Sequence, residues 1–573
     1  MNEFALDDDQ LRVASAAPET RQIVLAGPGA GKSEVVGELC RRLVFEHGVF
    51  PSEILVISFS NGAVDVVRRR TRHVVDEGEV VDVSTIDAVA ARVRAEIELE
   101  ESPFKGYDDA VVRATRLIAG RRTPVFPDIR HVVVDEVQDV VGVRAQFVLE
   151  LLSRGVSDDV GFTLLGDPMQ SLYDFQIDSS GDWTNPQFLD AVRAQFGPIE
   201  IRLVGEYRAR SELTKAVSRA RHALLDTSDT GRLLDLQDLA ADLPPLGDLD
   251  EDAASDIAGW AGTTALLCDT NARAGVVADA MAALGVRTEL APGAQAPALD
   301  PWMGRLLAQH PKSRIAFDEF AELAAAHGID DPDDCWRSLI SVARSRTGLD
   351  IPQLAERLRQ RRIPSALLRR PSSSVIASTV HRAKGLEFDN VVLIDPESWR
   401  SGVEEEDAAA RRLFVAMSRG RSLLTTVHGA STKWWRKDER DGFWFRTGFR
   451  GRGVTRVLLE PQMARALGPV TVDLEPMMGR EVEWESTYDL VTVDGEELPS
   501  WYAVVDGTVV GQTGVDFGAF IARKSYRDRL PQLDGGRVDG LETLAGEPRE
   551  EPGGIHGLWV GARLSGVVSM EWE

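Results

Sequence analysis

Eight consecutive residues, Ala26, Gly27, Pro28, Gly29, Ala30, Gly31, Lys32 and Ser33, have the composition of a phosphate cradle. Glycines let backbone N–H groups converge on phosphate oxygens, and a helix starting behind them adds its dipole. Lys32 is placed to reach the β- and γ-phosphates, and the Ser33 hydroxyl to ligate Mg²⁺. The competing reading is a Gly-rich turn of no function. Context argues against it, because the apolar run Gln22–Leu25 precedes the loop and the helix-like run Glu34–Leu43 follows it. A second constellation, Val132-Val-Val-Asp135-Glu136, is an apolar run ending in two carboxylates. Asp135 is expected to hold the metal, and Glu136 to orient and deprotonate the attacking water. Phosphoryl transfer needs mainly positioning and charge neutralisation, so one metal-holding Asp beside one base is sufficient chemistry. Alone, such a run is an ordinary solvated strand end. Beside the loop, it predicts an ATP hydrolase with ATP and Mg²⁺ as cofactors.

Those residues need strands and helices to position them. Short β-branched runs at Gln22–Leu25, Ile54–Ser58, Val80–Ser84, His131–Val134 and Phe162–Leu165 alternate with helix-like stretches. That alternation predicts a parallel sheet covered on both faces. A second set, Ile201–Val204, Thr264–Cys268, Val375–Ser378, Val391–Ile394 and Leu423–Val427, reads as a second α/β unit. A mainly helical stretch from about Pro292 to Arg370 interrupts it. After about Ser431 the texture becomes β-rich, with Asp494-Gly495 and Asp506-Gly507 each between strand-like runs, a two-residue hairpin signal.

Composition bounds the function classes. With 573 residues, two to four domains are expected. No apolar run approaches the roughly 20 residues of a membrane span, and the acidic N-terminus lacks signal-peptide features. Three widely spaced cysteines argue against a disulfide framework and for a cytoplasmic location, with no membrane partner. The net charge of −26 disfavours non-specific attachment to nucleic acid, so any such binding must come from a local patch.

The two constellations belong to an ordered series: LDDDQ (Leu6–Gln10), the loop, FSNGA (Phe59–Ala63), STID (Ser84–Asp87), DEVQD (Asp135–Asp139), GDPMQSLYDF (Gly166–Phe175), EYR (Glu206–Arg208), TVHRAKGLEFD (Thr379–Asp389) and RLFVAMSRG (Arg412–Gly420). Over about residues 1–430 this series resembles the superfamily 1A DNA helicases of the UvrD/Rep/PcrA type. The resemblance implies an α/β fold of two RecA-like P-loop NTPase lobes with small helical insertions and a C-terminal β-rich domain. It assigns 1–87 with 127–196 to lobe 1A, 88–126 to a short 1B-like insertion, and 197–291 with 371–430 to lobe 2A. Residues 292–370 become a reduced 2B-like insertion, and 431–573 a linker and accessory domain. It also assigns roles. Gln10 reads the adenine edge and Tyr207 stacks on the base. Gln138 and Gln170 sense the γ-phosphate. Arg208 and Arg419 act as arginine fingers from the second lobe. Glu387 contacts the ribose, and Gly385 lies near the phosphates. Phe59, Asn61, Phe175 and His381 contact single-stranded DNA; aromatic rings there offer stacking that tolerates any base, with core packing the competing reading for Phe59 and Phe175.

The chain departs from that pattern where the strand would run. Gly62 replaces a frequent Lys, Asp87 stands where the family has His, and Gln176 replaces an Arg. Phosphate contacts supply much of nucleic-acid affinity, so these changes predict weak or conditional DNA binding. Both insertions are short, which puts robust unwinding in question. Basic clusters remain at Arg68, Arg69, Arg70 and Arg72, and at Arg361, Arg362, Arg369 and Arg370. Each reads as a solvated helix face or a phosphate track. Lys433-Trp-Trp-Arg-Lys437 and Gly442-Phe-Trp-Phe-Arg446 interleave basic and aromatic residues. They read equally as a clamp for a single strand or as a hydrophobic linker docking the tail. Two functions follow from the whole. One is an ATP-dependent 3′–5′ DNA translocase or helicase, stimulated by single-stranded DNA, in repair, recombination or anti-phage defence. The other is a nucleic-acid-gated regulatory ATPase that controls a partner nuclease or RNA polymerase, reached through the C-terminal domain.

Overall fold

Six strands, every adjacent pair parallel, make the sheet that carries the phosphate loop. They are β1 (Arg21–Ala26), β2 (Ile54–Ser58), β3 (Asp82–Thr85), β4 (His131–Val134), β5 (Gly161–Gly166) and β6 (Ile199–Leu203), in the order β3-β2-β4-β5-β1-β6. The structure is a computed structural model. It describes residues 6–58, 81–98, 106–172, 183–226, 229–291, 298–329, 331–345, 348–359, 367–369, 371–399, 406–429, 431–448, 454–465, 472–486, 491–493, 496–524, 530–547 and 554–571.

Apolar residues fill the inner strands because both faces are covered. Successive residues point to opposite faces. Ile23, Leu55, Val132 and Leu164 therefore enter one core, and Val24, Val56, Val133 and Leu165 the other. The helices Ile86–Ile97 and Tyr107–Ala119 give Val89, Val93, Val111, Ala114 and Ile118 to the first core. The segment expected as a small insertion is thus a helical cover of this sheet.

One strand belongs elsewhere than its place in the sequence suggests. The run read as Ile201–Val204, and grouped with the second α/β unit, is β6 (Ile199–Leu203) of the first sheet. It pairs with β1 from Gln22↔Ile199 to Ala26↔Leu203. Val204, 61% exposed, lies beyond the strand. Strand propensity carries no information about which sheet a strand joins; pairing decides it.

The second sheet contains β7 (Pro245–Asp248), β8 (Thr264–Cys268) and β9 (Thr288–Leu290). After a small ribbon of β10 (Arg314–Ile315) and β11 (Leu349–Asp350) come β12 (Val375–Thr379), β13 (Phe388–Ile394) and β14 (Gly420–His428). Its order is β7-β14-β13-β8-β12-β9. The ribbon lies among the helices Pro301–Leu307, Phe317–Ala326, Pro332–Ala343 and Ile351–Arg359, which share a core of Leu306, Phe320, Leu339 and Leu354. The helical texture expected between Pro292 and Arg370 is borne out.

The tail is a nine-stranded antiparallel sheet with the long strands Gln532–Ala545 and Leu558–Glu571 paired at its centre. The expected hairpin joins Trp501–Val505 to Thr508–Thr513. Asp506 (φ 49°) and Gly507 (φ 75°) take the two left-handed positions of its turn. Asp494-Gly495 lies outside the described residues. Arg369, read as part of a surface cluster, is buried: its Nη1 donates to Glu289 Oε2 at 2.8 Å and its Nε to the Leu541 carbonyl at 2.7 Å. Arg361, Arg362 and Arg370 lie outside the described residues, as do Arg68, Arg69, Arg70 and Arg72. Among the described residues, no helix is long and apolar enough to cross a membrane.

By internal contacts the chain forms two compact units. One is 1–243 with 385–387 and 397–423; the other is 244–384, 388–396 and 424–573.

Candidate nucleotide site

All of the nucleotide-site residues singled out above lie in the first unit. The phosphate loop runs from β1 into the helix Lys32–Phe45. Gly29 (φ 75°) and Gly31 (φ 77°) hold left-handed conformations that only glycine adopts cheaply. Space demands glycine as well: a Cβ on Gly31 would stand 2.6 Å from Gln10 Nε2, and one on Gly29 2.8 Å from the Arg208 Cβ. Lys32 Nζ donates to the carbonyls of Ala26 at 3.2 Å and Gly27 at 3.4 Å, folded back over the loop.

Gln10 is fixed at both ends. It sits in the helix Asp8–Ala14, whose start is closed by a reciprocal capping pair: Gln10 N donates to Asp7 Oδ1 at 2.8 Å, and Asp7 N to Gln10 Oε1 at 3.0 Å. Its Nε2 donates to the Ala30 carbonyl at 3.0 Å. Tyr207 approaches from the other side. Its N–H donates to the Gly29 carbonyl at 2.9 Å, its hydroxyl to Asp7 Oδ2, and 55% of the residue is exposed. The Asp7 bond, with burial second, pushes the phenol up to about 12. Gln10, the loop and an exposed aromatic ring therefore surround one space.

Asp135 and Glu136 follow β4. Asp135 is 3% exposed, and its N–H donates to the Ile57 carbonyl at 2.9 Å. Burial, with the adjacent Glu136 charge second, pushes its carboxyl up to about 7, against the pull of Lys32. Glu136 has φ 54°, an uncommon backbone for a non-glycine residue and of the kind that clusters at functional sites. Gln138 Nε2 donates to Glu136 Oε2 at 2.5 Å, and Gln138 Oε1 accepts from Asp167 N at 3.0 Å. From Asp167 the chain of bonds continues. Gln170 Nε2 donates to Asp167 Oδ2 at 3.0 Å, and Arg419 Nη2 to Gln170 Oε1 at 3.0 Å. Segments far apart in sequence thus meet through one continuous polar path.

Arg419 is 2% exposed, and its Nε also donates to the Val415 carbonyl at 3.1 Å. Burial, with the nearby Arg208 charge second, lowers its guanidinium to about 10, opposed by Glu136, Glu387 and Asp167. Arg208 Nη2 meets Glu387 Oε1 at 2.6 Å, and Arg421 Nη2 meets Glu387 Oε2 at 2.5 Å. Burial alone would raise the Glu387 carboxyl, but Arg208 and Arg421 hold it below the usual range. Gly385 takes φ 78° just ahead of it.

The nucleic-acid residues are less fully placed. Phe59, Asn61 and Phe175 lie outside the described residues, as do Gly62 and Gln176. His381 lies in the second unit, half-buried on a single helical turn, Val380–Ala383. Asp87 is tied down, with Arg144 Nη2 at 2.9 Å from its Oδ1. In the aromatic island, Trp435 and Trp444 pack against the core of the second sheet, whereas Trp434 is 57% exposed. Trp434 takes φ 78° at a turn closed by Trp435 N donating to the Thr432 carbonyl at 3.1 Å. The Lys433 ammonium lies 5.4 Å from its ring centroid, and Arg436 and Lys437 are exposed beside it.

Four participants escaped the sequence reading. Asp167 stood inside a quoted motif with no role assigned. Asp7 and Arg421 were adjacent to named residues. Arg221 has no local signal at all; only its burial, 4% exposed on the helix Glu212–Asp226, reveals it.

Comparison with known proteins fits this geometry. The family described as AAA domain matches residues 9–176, and the UvrD-like helicase C-terminal domain matches residues 374–427. The ATP-dependent DNA helicase PcrA from each of two strains of Staphylococcus epidermidis is 33% identical over 72 residues, 12% of this chain. The match spans about a tenth of those relatives, 10% of their length. The first family covers the phosphate loop through GDPMQ, the second the TVHRAKGLEFD and RLFVAMSRG segments, in the order the motifs take. These matches support a superfamily 1 helicase of the UvrD/PcrA type.

Proposed function

We propose that this protein is an ATP hydrolase stimulated by single-stranded DNA, working as a 3′–5′ translocase or helicase in repair, recombination or defence against foreign DNA. One observation carries the reading: the polar path Glu136–Gln138–Asp167–Gln170–Arg419 beside the phosphate loop. Hydrolysis requires a base, a γ-phosphate sensor and a cation to answer together, and this path connects candidates for all three. The donor set fits the proposed cofactors. Ser33 and Asp135 offer hard oxygen ligands of the kind Mg²⁺ prefers, and the loop glycines leave room for phosphates. Bound Mg²⁺ supplies charge neutralisation between phosphate oxygens. Lys32 is then the phosphate cation, Glu136 the base, and Arg208 and Arg419 the stabilisers of transition-state charge. Gln10 and Tyr207 take the base, and Glu387 and Gly385 the ribose and phosphate edge. The assignment of lobes by motif order is part of the same proposal, with Ile199–Leu203 counted in the first sheet that it completes.

Trp434, with its exposed ring and adjacent cations, supports contact with a single strand outside the motifs. Trp434→Ala is expected to weaken single-stranded DNA binding about tenfold; equal affinity in a fluorescence titration removes Trp434 from the track. The principal test is the ATPase rate without nucleic acid and with single-stranded DNA, duplex DNA or single-stranded RNA, beside a strand-displacement assay. Stimulation by single-stranded DNA that weakens with salt is expected. If no nucleic acid changes the rate, the translocase reading fails.

A regulatory ATPase that gates a partner nuclease or RNA polymerase is the second reading. The helices Ile86–Ile97 and Tyr107–Ala119, packed into the core of the first sheet, favour it, as does Asp87, whose charge is spent on Arg144. ATPase stimulation without strand displacement distinguishes it.

A further inference from the structure

Arg221 lies apart from every motif of the series, yet its side chain is built into the nucleotide site. Its Nε donates to Asp167 Oδ1 at 3.0 Å, and that carboxylate is fully buried. The side chain also lies flat on the phosphate loop: a Cβ on Gly27 would stand 3.0 Å from Arg221 Cδ and 3.1 Å from its Nε. Nη2, wholly shielded from solvent, has no hydrogen-bond partner among the described residues. A guanidinium carries five donors and cannot lose its charge, and leaving one buried and unsatisfied is costly. Arg537 and Arg563 in the second unit also keep unpartnered buried nitrogens. Theirs lie among β-strands, whereas Arg221 lies against the glycine-rich loop. Asp167 is also the residue that holds Gln170, and Gln170 holds Arg419.

We propose that Arg221 is a third arginine of the nucleotide site: Nη2 donates to a phosphate oxygen at the Gly27 end of the loop, while Nε holds the Asp167 that positions Gln170 and Arg419. The proposal rests on the ATPase reading above. In this arrangement one side chain reports on the phosphates and steadies the arginine that answers them. A substitution therefore alters both nucleotide discrimination and turnover. A purely structural Arg221 alters neither once the protein is folded.

The test compares wild type, Arg221→Lys and Arg221→Ala in the full-length protein. Melting temperature, kcat and KM for ATP, and the ratio of Mg·ADP to Mg·ATPγS dissociation constants are measured. Losing one charge-assisted hydrogen bond is expected to lower the preference for ATPγS over ADP about tenfold in Arg221→Ala. kcat is expected to fall at least as far, because Arg419 loses its support. Arg221→Lys keeps the charge but not the two-sided fork, so it recovers part of the discrimination and little of kcat. If Arg221→Ala does not fold, Arg221→Lys carries the test. Unchanged discrimination and kcat in a folded variant overturn the proposal. If wild type itself neither binds nor hydrolyses ATP, the ATPase reading fails instead, and the two failures are told apart.

Discussion

Two buried ionic networks, one in each compact unit, use the same side chains for different ends. In the first unit, Arg221, Asp167, Gln170 and Arg419 form a path beside a glycine-rich loop. In the second, Glu289 lies under Arg369 and accepts also from Ser372 N at 2.7 Å and Ser373 N at 2.8 Å. Asp279 in the same unit pairs with Arg537. The Glu289 network is closed, since its carboxylate is saturated by protein donors. The Asp167 network is open on the loop side. Burial and pairing alone do not separate a binding site from a structural staple. The neighbouring backbone does, because only a loop with left-handed glycines can bring N–H groups to an anion.

That contrast can be broken in order of effect. Lys32→Ala and Glu136→Gln are expected to abolish hydrolysis, with Glu136→Gln still binding ATP in a thermal-shift titration. Full turnover in Glu136→Gln would remove it as the base. Arg208→Ala or Arg419→Ala should lower kcat by ~10³-fold while the melting temperature holds; an unchanged kcat demotes both to structural residues. In the closed network the readouts reverse. Arg369→Ala leaves buried Glu289 with only the longer ion pair to Arg287, at 3.6 Å, and should cost about 3 kcal/mol of stability in denaturant unfolding, with kcat of the folded protein retained. A loss of kcat without a loss of stability would erase the distinction. The smallest effect is in pH. Burial raises the Glu289 carboxyl, but Arg369 and Ser372 more than offset this and hold it below its ordinary 4.5. Its ionised form thus stabilises the fold above that value, and the contribution is lost as pH falls through the lower folded value. Glu289→Gln should therefore be less stable than the parent at neutral pH, with the gap closing below about 4.5.

Legibility in the sequence followed locality. The phosphate loop, Asp135-Glu136 and the Asp506-Gly507 hairpin were readable because each is a few adjacent residues whose types dictate a backbone shape. The parallel sheets were readable from alternating texture. The allegiance of β6 was not, since an edge strand with Glu200 and Arg202 exposed looks the same whichever sheet it completes. Arg221 was invisible because a helical arginine is ordinarily solvated, and only packing against Gly27 makes it otherwise. The mixed role of the aromatic island needed three dimensions too: Trp434 and Trp435 are neighbours in sequence, yet one is exposed and the other packs against a core.

The first unit is discontinuous in the chain: residues 385–387 and 397–423 complete it. During synthesis the phosphate loop is finished long before Arg419 exists. At about 5–20 residues per second, the interval between residues 243 and 419 lasts roughly ten to thirty seconds. A nascent chain in that interval has the glycine-rich loop but lacks Glu387 and Arg419. The order of segments therefore puts off completion of the proposed site until residue 419 has been made.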